Sequence, residues 1–99
     1  MRARLIFREK RLVWSPSRNV AGVVELKVWD LPRSKGYPGG RKFSLYLVSQ
    51  GEVCVGIDNH EPKGPHLHLG HEEFPFDYRD DEQLLSDFWD LVRKAGFEP

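Results

Sequence analysis

The chain has 99 residues and a mass of 11.5 kDa, with 39% hydrophobic, 12% aromatic and 30% charged residues, which fits one folded domain over 1–99 and excludes two independent cores or general disorder. A single cysteine, Cys54, excludes an intramolecular disulfide framework and a cysteine-rich zinc site, and the apolar runs are only a few residues long, too short to span a bilayer. The net charge of zero is a cancellation: residues 1–50 hold 11 Lys/Arg against 3 Asp/Glu, and residues 51–99 hold 4 against 12. Folded onto one surface, the basic half would attract phosphates; the balanced total argues against a simple nucleic-acid coating protein. The N-terminus is basic but has no hydrophobic segment of signal-peptide length, so the expected location is the cytoplasm.

Leu5 to Trp14 reads as extended, with β-favouring Ile6, Phe7, Val13 and Trp14 around the basic stretch Arg8-Glu9-Lys10-Arg11, and Ser15 to Asn19 reads as a turn. Gly22 to Asp30 alternates, with Val24, Leu26 and Val28 on one side and Glu25 and Lys27 on the other, the pattern of a half-buried strand. Leu31 to Gly40, rich in proline and glycine, is expected to be an exposed loop. Arg41 to Gln50 sets Phe43, Leu45 and Leu47 against Lys42, Ser44 and Tyr46. Gln50-Gly51 supplies a turn, and Glu52 to Asn59 puts Val53, Val55 and Ile57 on one face, so the two runs make an antiparallel hairpin.

After a histidine-rich loop, Phe74, Phe76 and Tyr78 alternate, although Pro75 restricts this run to an edge strand or an extended connector. Asp80 or Asp81 opens a helix, Asp80 with Gln83 resembling a capping box. Leu84, Leu85, Phe88, Leu91, Val92 and Ala95 recur at helical spacing, and Gly96 is a natural stop. The expected fold is α+β: an antiparallel sheet of about four strands packed by one C-terminal helix. Its open edges invite pairing, so a homodimer is also expected.

All four histidines, His60, His66, His68 and His71, fall within twelve residues. Histidine exchanges protons near neutral pH and is the commonest metal ligand, so the cluster marks a candidate site. If His66-Leu67-His68 is extended, both imidazoles share a face. A metal centre would draw on His60, His66, His68 and His71, with Asp58 or Glu73 joining only if the loop folds back, but the spacing matches no mononuclear zinc motif. Alternatively, the histidines cap strand ends. The third reading is metal-free and cofactor-free chemistry on RNA, with His66 and His68 as the proton-transfer pair, Lys63 stabilising charge on the phosphate, and Asp58 and Asn59 orienting an imidazole. Arg8, Lys10, Arg11, Arg41 and Lys42 are candidate contacts to nucleic acid, provided they share a face with the histidines. Trp14 and Trp29 could stack bases, although tryptophan in a small sheet is more commonly core. A non-catalytic module that binds nucleic acid or protein through its basic half fits the same composition.

The stretch Gly56-Ile57-Asp58-Asn59-His60-Glu61-Pro62-Lys63-Gly64-Pro65-His66-Leu67-His68, followed by Glu72-Glu73-Phe74-Pro75-Phe76 and Leu84-Leu85-Ser86-Asp87-Phe88-Trp89, resembles the TumE-type toxins of prokaryotic toxin-antitoxin modules. Val28-Trp29-Asp30-Leu31-Pro32 is similar to that family's second-strand signature. Ile57 stands where the family usually has an aromatic residue, Pro62-Lys63-Gly64-Pro65 replaces a simpler Gly-Lys-Gly turn, and Leu67 replaces a common basic residue. The resemblance implies a small cytosolic toxin, acting as a ribonuclease and neutralised by a helix-turn-helix antitoxin.

Overall fold

A computed structural model describes residues 2–60 and 62–99, so Glu61 of the histidine-rich stretch lies outside the described residues. Six strands follow one another in sequence and in space: β1 (Arg4–Ser15), β2 (Val20–Asp30), β3 (Arg41–Ser49), β4 (Glu52–Asp58), β5 (His66–Leu69) and β6 (Glu72–Pro75). Every neighbouring pair is antiparallel, giving the sheet order β1-β2-β3-β4-β5-β6, and α1 (Asp81–Lys94) packs on one face. The α+β architecture with one C-terminal helix is as expected, but the sheet has six strands rather than about four. β5 lies in what the sequence suggests is the histidine-rich loop, while β6 takes the place of the edge strand or connector expected after it, ending at Pro75 instead of running on to Tyr78. Each has only four residues, and β5 presents His66 and His68 where a half-buried strand usually shows simple polar residues, so alternation alone does not reveal it. Pro75 ends β6 at the outer edge, where a missing N–H costs no ladder bond.

Alternation in the strands divides the sheet into two faces. Val24, Leu26 and Val28 of β2, Phe43, Leu45 and Leu47 of β3, and Val55 and Ile57 of β4 are buried beneath the helix residues Leu84, Phe88 and Val92, with Phe97 closing the end. The helix begins where the Asp80 carboxylate accepts from the Gln83 backbone N–H at 2.7 Å while the Gln83 side-chain Oε1 accepts from the Arg79 N–H at 2.9 Å, a variant of the expected box. It stops at Gly96, whose φ of 91° an L-residue adopts only with strain. Glu98 then pairs with Trp14 as an isolated bridge, tying the chain's far end to β1.

Two expectations are corrected by this packing. The segment between β2 and β3 is not wholly exposed, because Leu31 and Tyr37 turn inward and are buried. Trp14 is not core: Val13 and Ser15 face the helix side, so Trp14 points to the open face and is 45% exposed.

Candidate functional site

The polar sites of β3, β4, β5 and β6 meet on the open face, opposite the helix. Cross-strand pairing sets Arg8, Lys27, Ser44, Asp58 and His66 in one row, and Lys10, Glu25, Tyr46, Gly56, His68 and Glu73 in the next. Leu67, between the two histidines, turns to the core side. Gly56 lets the rows close up. A Cβ there would meet the Tyr46 ring, lying 2.7 Å from Cδ1 and closer still to Cε1, so the aromatic ring occupies the space that any other residue would fill. The ring's reach across β4 brings its hydroxyl into a short hydrogen bond to Asp58 Oδ2.

Asp58 is the hub, only 3% exposed. His66 Nε2 lies 2.8 Å from Oδ1, His68 Nε2 lies 3.4 Å from Oδ2, and the His60 backbone N–H donates to Oδ1 at 3.4 Å. Burial alone would push this carboxyl upward, but the Tyr46 hydroxyl, the His60 N–H and the nearby imidazoles together hold it below the ordinary aspartate value. The same contact acts oppositely on the phenol: burial, reinforced by the hydrogen bond to Asp58, pushes Tyr46 well above the ordinary tyrosine value.

On its other side, His66 Nδ1 lies 2.7 Å from the Gly64 carbonyl oxygen, which can only accept, so Nδ1 carries a proton. Asp58 then accepts from Nε2 when that nitrogen is protonated too, and the doubly protonated ring satisfies both neighbours. The His66 and His68 rings meet edge to face with centroids 4.8 Å apart, and the His68 side chain is the more open to solvent, 27% exposed against 11%. Glu73 Oε2 stands 3.5 Å from His66 Nε2, and both Glu73 oxygens accept from Lys63 Nζ at 3.1 Å. That Lys63 hydrogen bond is the first cause holding the Glu73 carboxyl below its ordinary range. Lys63, Glu73, His66, Asp58 and His68 thus form one continuous chain of polar contacts.

Not every residue singled out in the sequence joins it. The Asn59 amide is taken up by backbone: its Oδ1 accepts from the Phe43 N–H at 2.9 Å and its Nδ2 donates to the Arg41 carbonyl at 2.8 Å, so it extends the β3–β4 pairing and contacts no imidazole. His60 reaches the site through its backbone N–H, and His71 lines a separate hollow with Tyr46 and His68. The trio whose ligand atoms lie within 4.8 Å of one another is Asp58, His66 and His68, rather than the four histidines together.

The basic set also divides. Arg8, Lys10 and Lys42 share the open face with the histidines, Lys42 Nζ lying 5.3 Å from the Trp29 ring centroid. Arg11 and Arg41 are on the helix side. The Arg11 guanidinium sits 5.0 Å from the Trp89 ring centroid, and Arg41 binds Asp30 at 2.6 Å and Asp81 at 3.0 Å. Sequence reading missed Tyr46 and Lys27 as members of this face, although both fall on the polar side of strands whose alternation was clear. Pairing outward from the Gln50-Gly51 turn would set Tyr46 against Val55; a register shift between Leu47 and Val48 brings it opposite Gly56 instead, two residues before Asp58.

An antiparallel meander carrying a largely buried His-Asp-His cluster beside several cations is the class that fold and site define. A family model described as Toxin TumE matches residues 3–95, and the chain belongs to that toxin family. No curated protein and no solved structure matches it. Membership implies an antitoxin partner, and no helix among the described residues is long and apolar enough to cross a membrane.

Proposed function

We propose that this toxin is a metal-independent RNA endonuclease of the cytoplasm, held in check by a helix-turn-helix antitoxin. The observation that carries the proposal is the convergence of the His66 and His68 imidazoles on the buried Asp58 carboxylate, on a sheet face that also presents Arg8, Lys10, Lys27 and Lys42. Turned toward Asp58 through Nε2, His68 keeps Nδ1 for the proton of a ribose 2′-hydroxyl. The 2′-oxygen attacks the adjacent phosphorus, and the negative charge on the phosphorane oxygens is met by Lys63 and the cations of the open face. With Nδ1–H kept on the Gly64 carbonyl, His66 turns its Nε2–H from Asp58 to the departing 5′-oxygen and gives up that proton, which leaves a 2′,3′-cyclic phosphate and a 5′-hydroxyl. Exchange with water resets the pair. Each proton-transfer role contributes roughly 10²- to 10⁴-fold in rate.

The test is cleavage of RNA by purified protein with and without EDTA, with end-group analysis. The proposal expects cyclic phosphate ends in both conditions, and losses of about 10²-fold or more in His66→Ala and His68→Ala. Undiminished cleavage by the double variant overturns it. RNA retention without product under either condition would leave a binding module instead.

A second reading is favoured by the spacing of Asp58, His66 and His68, which suits a divalent transition metal. The Gly64 carbonyl on His66 Nδ1 is also the outer contact that a ligating histidine commonly makes. It requires that EDTA abolish cleavage and that purified protein carry stoichiometric metal.

A further inference from the structure

A concavity lies around the corner from the histidines, between the β2–β3 loop, the β4–β5 loop and the approach to α1. It has a volume of about 540 Å³, within the size range of small-molecule sites. Lys35, Tyr37, Arg41, Tyr78 and Arg79 line it, and among the described residues no aspartate or glutamate does. Arg41 is already neutralised by Asp30 and Asp81, but neither Lys35 nor Arg79 takes part in an ion pair among the described residues.

The aromatic walls are fixed in advance. Tyr37 is 8% exposed, with its N–H donating to Ser34 Oγ at 3.2 Å and its carbonyl accepting from the Gly40 N–H at 3.0 Å. Tyr78 donates from its hydroxyl to Asp81 Oδ1 at 2.7 Å, and its ring stands 5.0 Å from that of Phe43. Two cations outside any ion pair among the described residues, lining a cleft walled by two tyrosines, make a site for a flat ring bearing an anionic group, and every nucleotide has both. Pro65 lines this cleft and also the groove that holds Lys63, His66 and Glu73, so a strand leaving the cleft over Pro65 arrives at the histidines.

We infer that this cleft is a nucleotide-binding subsite, taking a base against Tyr37 and Tyr78 and its phosphate between Lys35 and Arg79. That the nucleotide belongs to an RNA substrate rests on the proposed nuclease reading; the binding itself does not. The experiment is a titration of the ¹⁵N-labelled protein with the four ribonucleoside 5′-monophosphates, ribose 5-phosphate and inorganic phosphate, read by amide shifts. Saturable shifts are expected at Gly36, Gly39, Gly64 and Arg79 with at least one nucleotide. Ribose 5-phosphate and inorganic phosphate should bind at least tenfold more weakly. The double variant Lys35→Glu/Arg79→Glu should lose at least tenfold in nucleotide affinity, whereas Lys94→Glu, in the last turn of the helix, changes it less than twofold.

Shifts confined to other surfaces, or equal affinity for inorganic phosphate and nucleotides, overturn the inference. The two proposals fail separately. Cleft binding by a wild-type protein that cuts no RNA sinks the nuclease and leaves the subsite. Cleavage with unchanged KM in the charge-reversal variant sinks the subsite and leaves the nuclease.

Discussion

Gly56→Ala is a small change with a large predicted effect. The added Cβ would sit 2.7 Å from Tyr46 Cδ1, where ordinary contact begins near 3.4 Å, so the ring must retreat by about 0.7 Å or more across β4. The atoms of a rigid ring cannot bend out of the way, and the hydroxyl at its far end is the donor to Asp58 Oδ2. Losing a hydrogen bond to a charged group costs about 1.5–3 kcal/mol, and residual crowding adds roughly 1 kcal/mol or more. The restricted unfolded chain returns about 0.4–1 kcal/mol. A net loss of about 2–3 kcal/mol follows, a large share of the roughly 5–15 kcal/mol that holds a domain together.

Urea unfolding of Gly56→Ala, Tyr46→Ala and the double variant measures it. If the ring is the obstacle, Gly56→Ala in the Tyr46→Ala background costs almost nothing or stabilises slightly, giving a coupling of about 2 kcal/mol, inside the range measured for residues in contact. An equal cost in both backgrounds would show that the reasoning is wrong.

Other expectations concern charge and backbone. Asp58 has a folded-state pKa below its ordinary value, so its contribution to stability is complete above the unfolded value near 3.8 and is lost as pH falls through the folded one; Asp58→Asn should flatten the acid limb of a stability-pH curve, and an unchanged limb refutes this. Tyr46 and Tyr78 are raised, chiefly by burial, so the folded protein keeps phenolic protons that the unfolded chain releases, and stability should fall as pH climbs past 10. Tyr46→Phe combined with Tyr78→Phe should reduce that slope in alkaline urea titrations. Asn59→Ala leaves the Phe43 N–H and the Arg41 carbonyl without their partner and should lower stability by about 1–3 kcal/mol in denaturant unfolding, with a change under 0.5 kcal/mol counting against the assigned role. Glu73→Gln frees Lys63 and removes a negative charge from the face, so retention of RNA on filters should rise several-fold at low salt and converge with wild type as salt increases; equal retention at low salt contradicts it.

Much of this architecture is legible in the residues. The β3–β4 hairpin is written in apolar alternation around Gln50-Gly51, although a register shift leaves Val53 exposed opposite Val48 instead of on the buried face of Val55 and Ile57, and the helix is written in its i, i+3 and i+4 stripe with an acidic first turn and a basic last turn. His66 and His68 are placed on one face by nothing more than the period of a strand. What stays hidden depends on register between strands. That Arg41 faces the helix while its neighbour Lys42 faces the histidines follows from the alternation of β3, but which acids meet Arg41 depends on where Asp81 begins the helix. Asn59 looks like a polar group at a strand end, and its true partners are backbone atoms sixteen and eighteen positions away. The cleft beside Tyr37 is assembled from three separated segments, which only the folded chain brings together.

Because each strand lies beside its predecessor, the sheet can be laid down in the order the ribosome supplies it, without waiting for distant segments. The His-Asp-His face is therefore complete once β6 has paired, while the opposite side still shows Val24, Leu26, Phe43, Leu45 and Ile57 to solvent until residues 81–97 arrive to cover them. A nascent chain halted between those two moments has its polar chemistry assembled and its greasy underside bare, which makes that interval the one in which a chaperone or protease has most to grip.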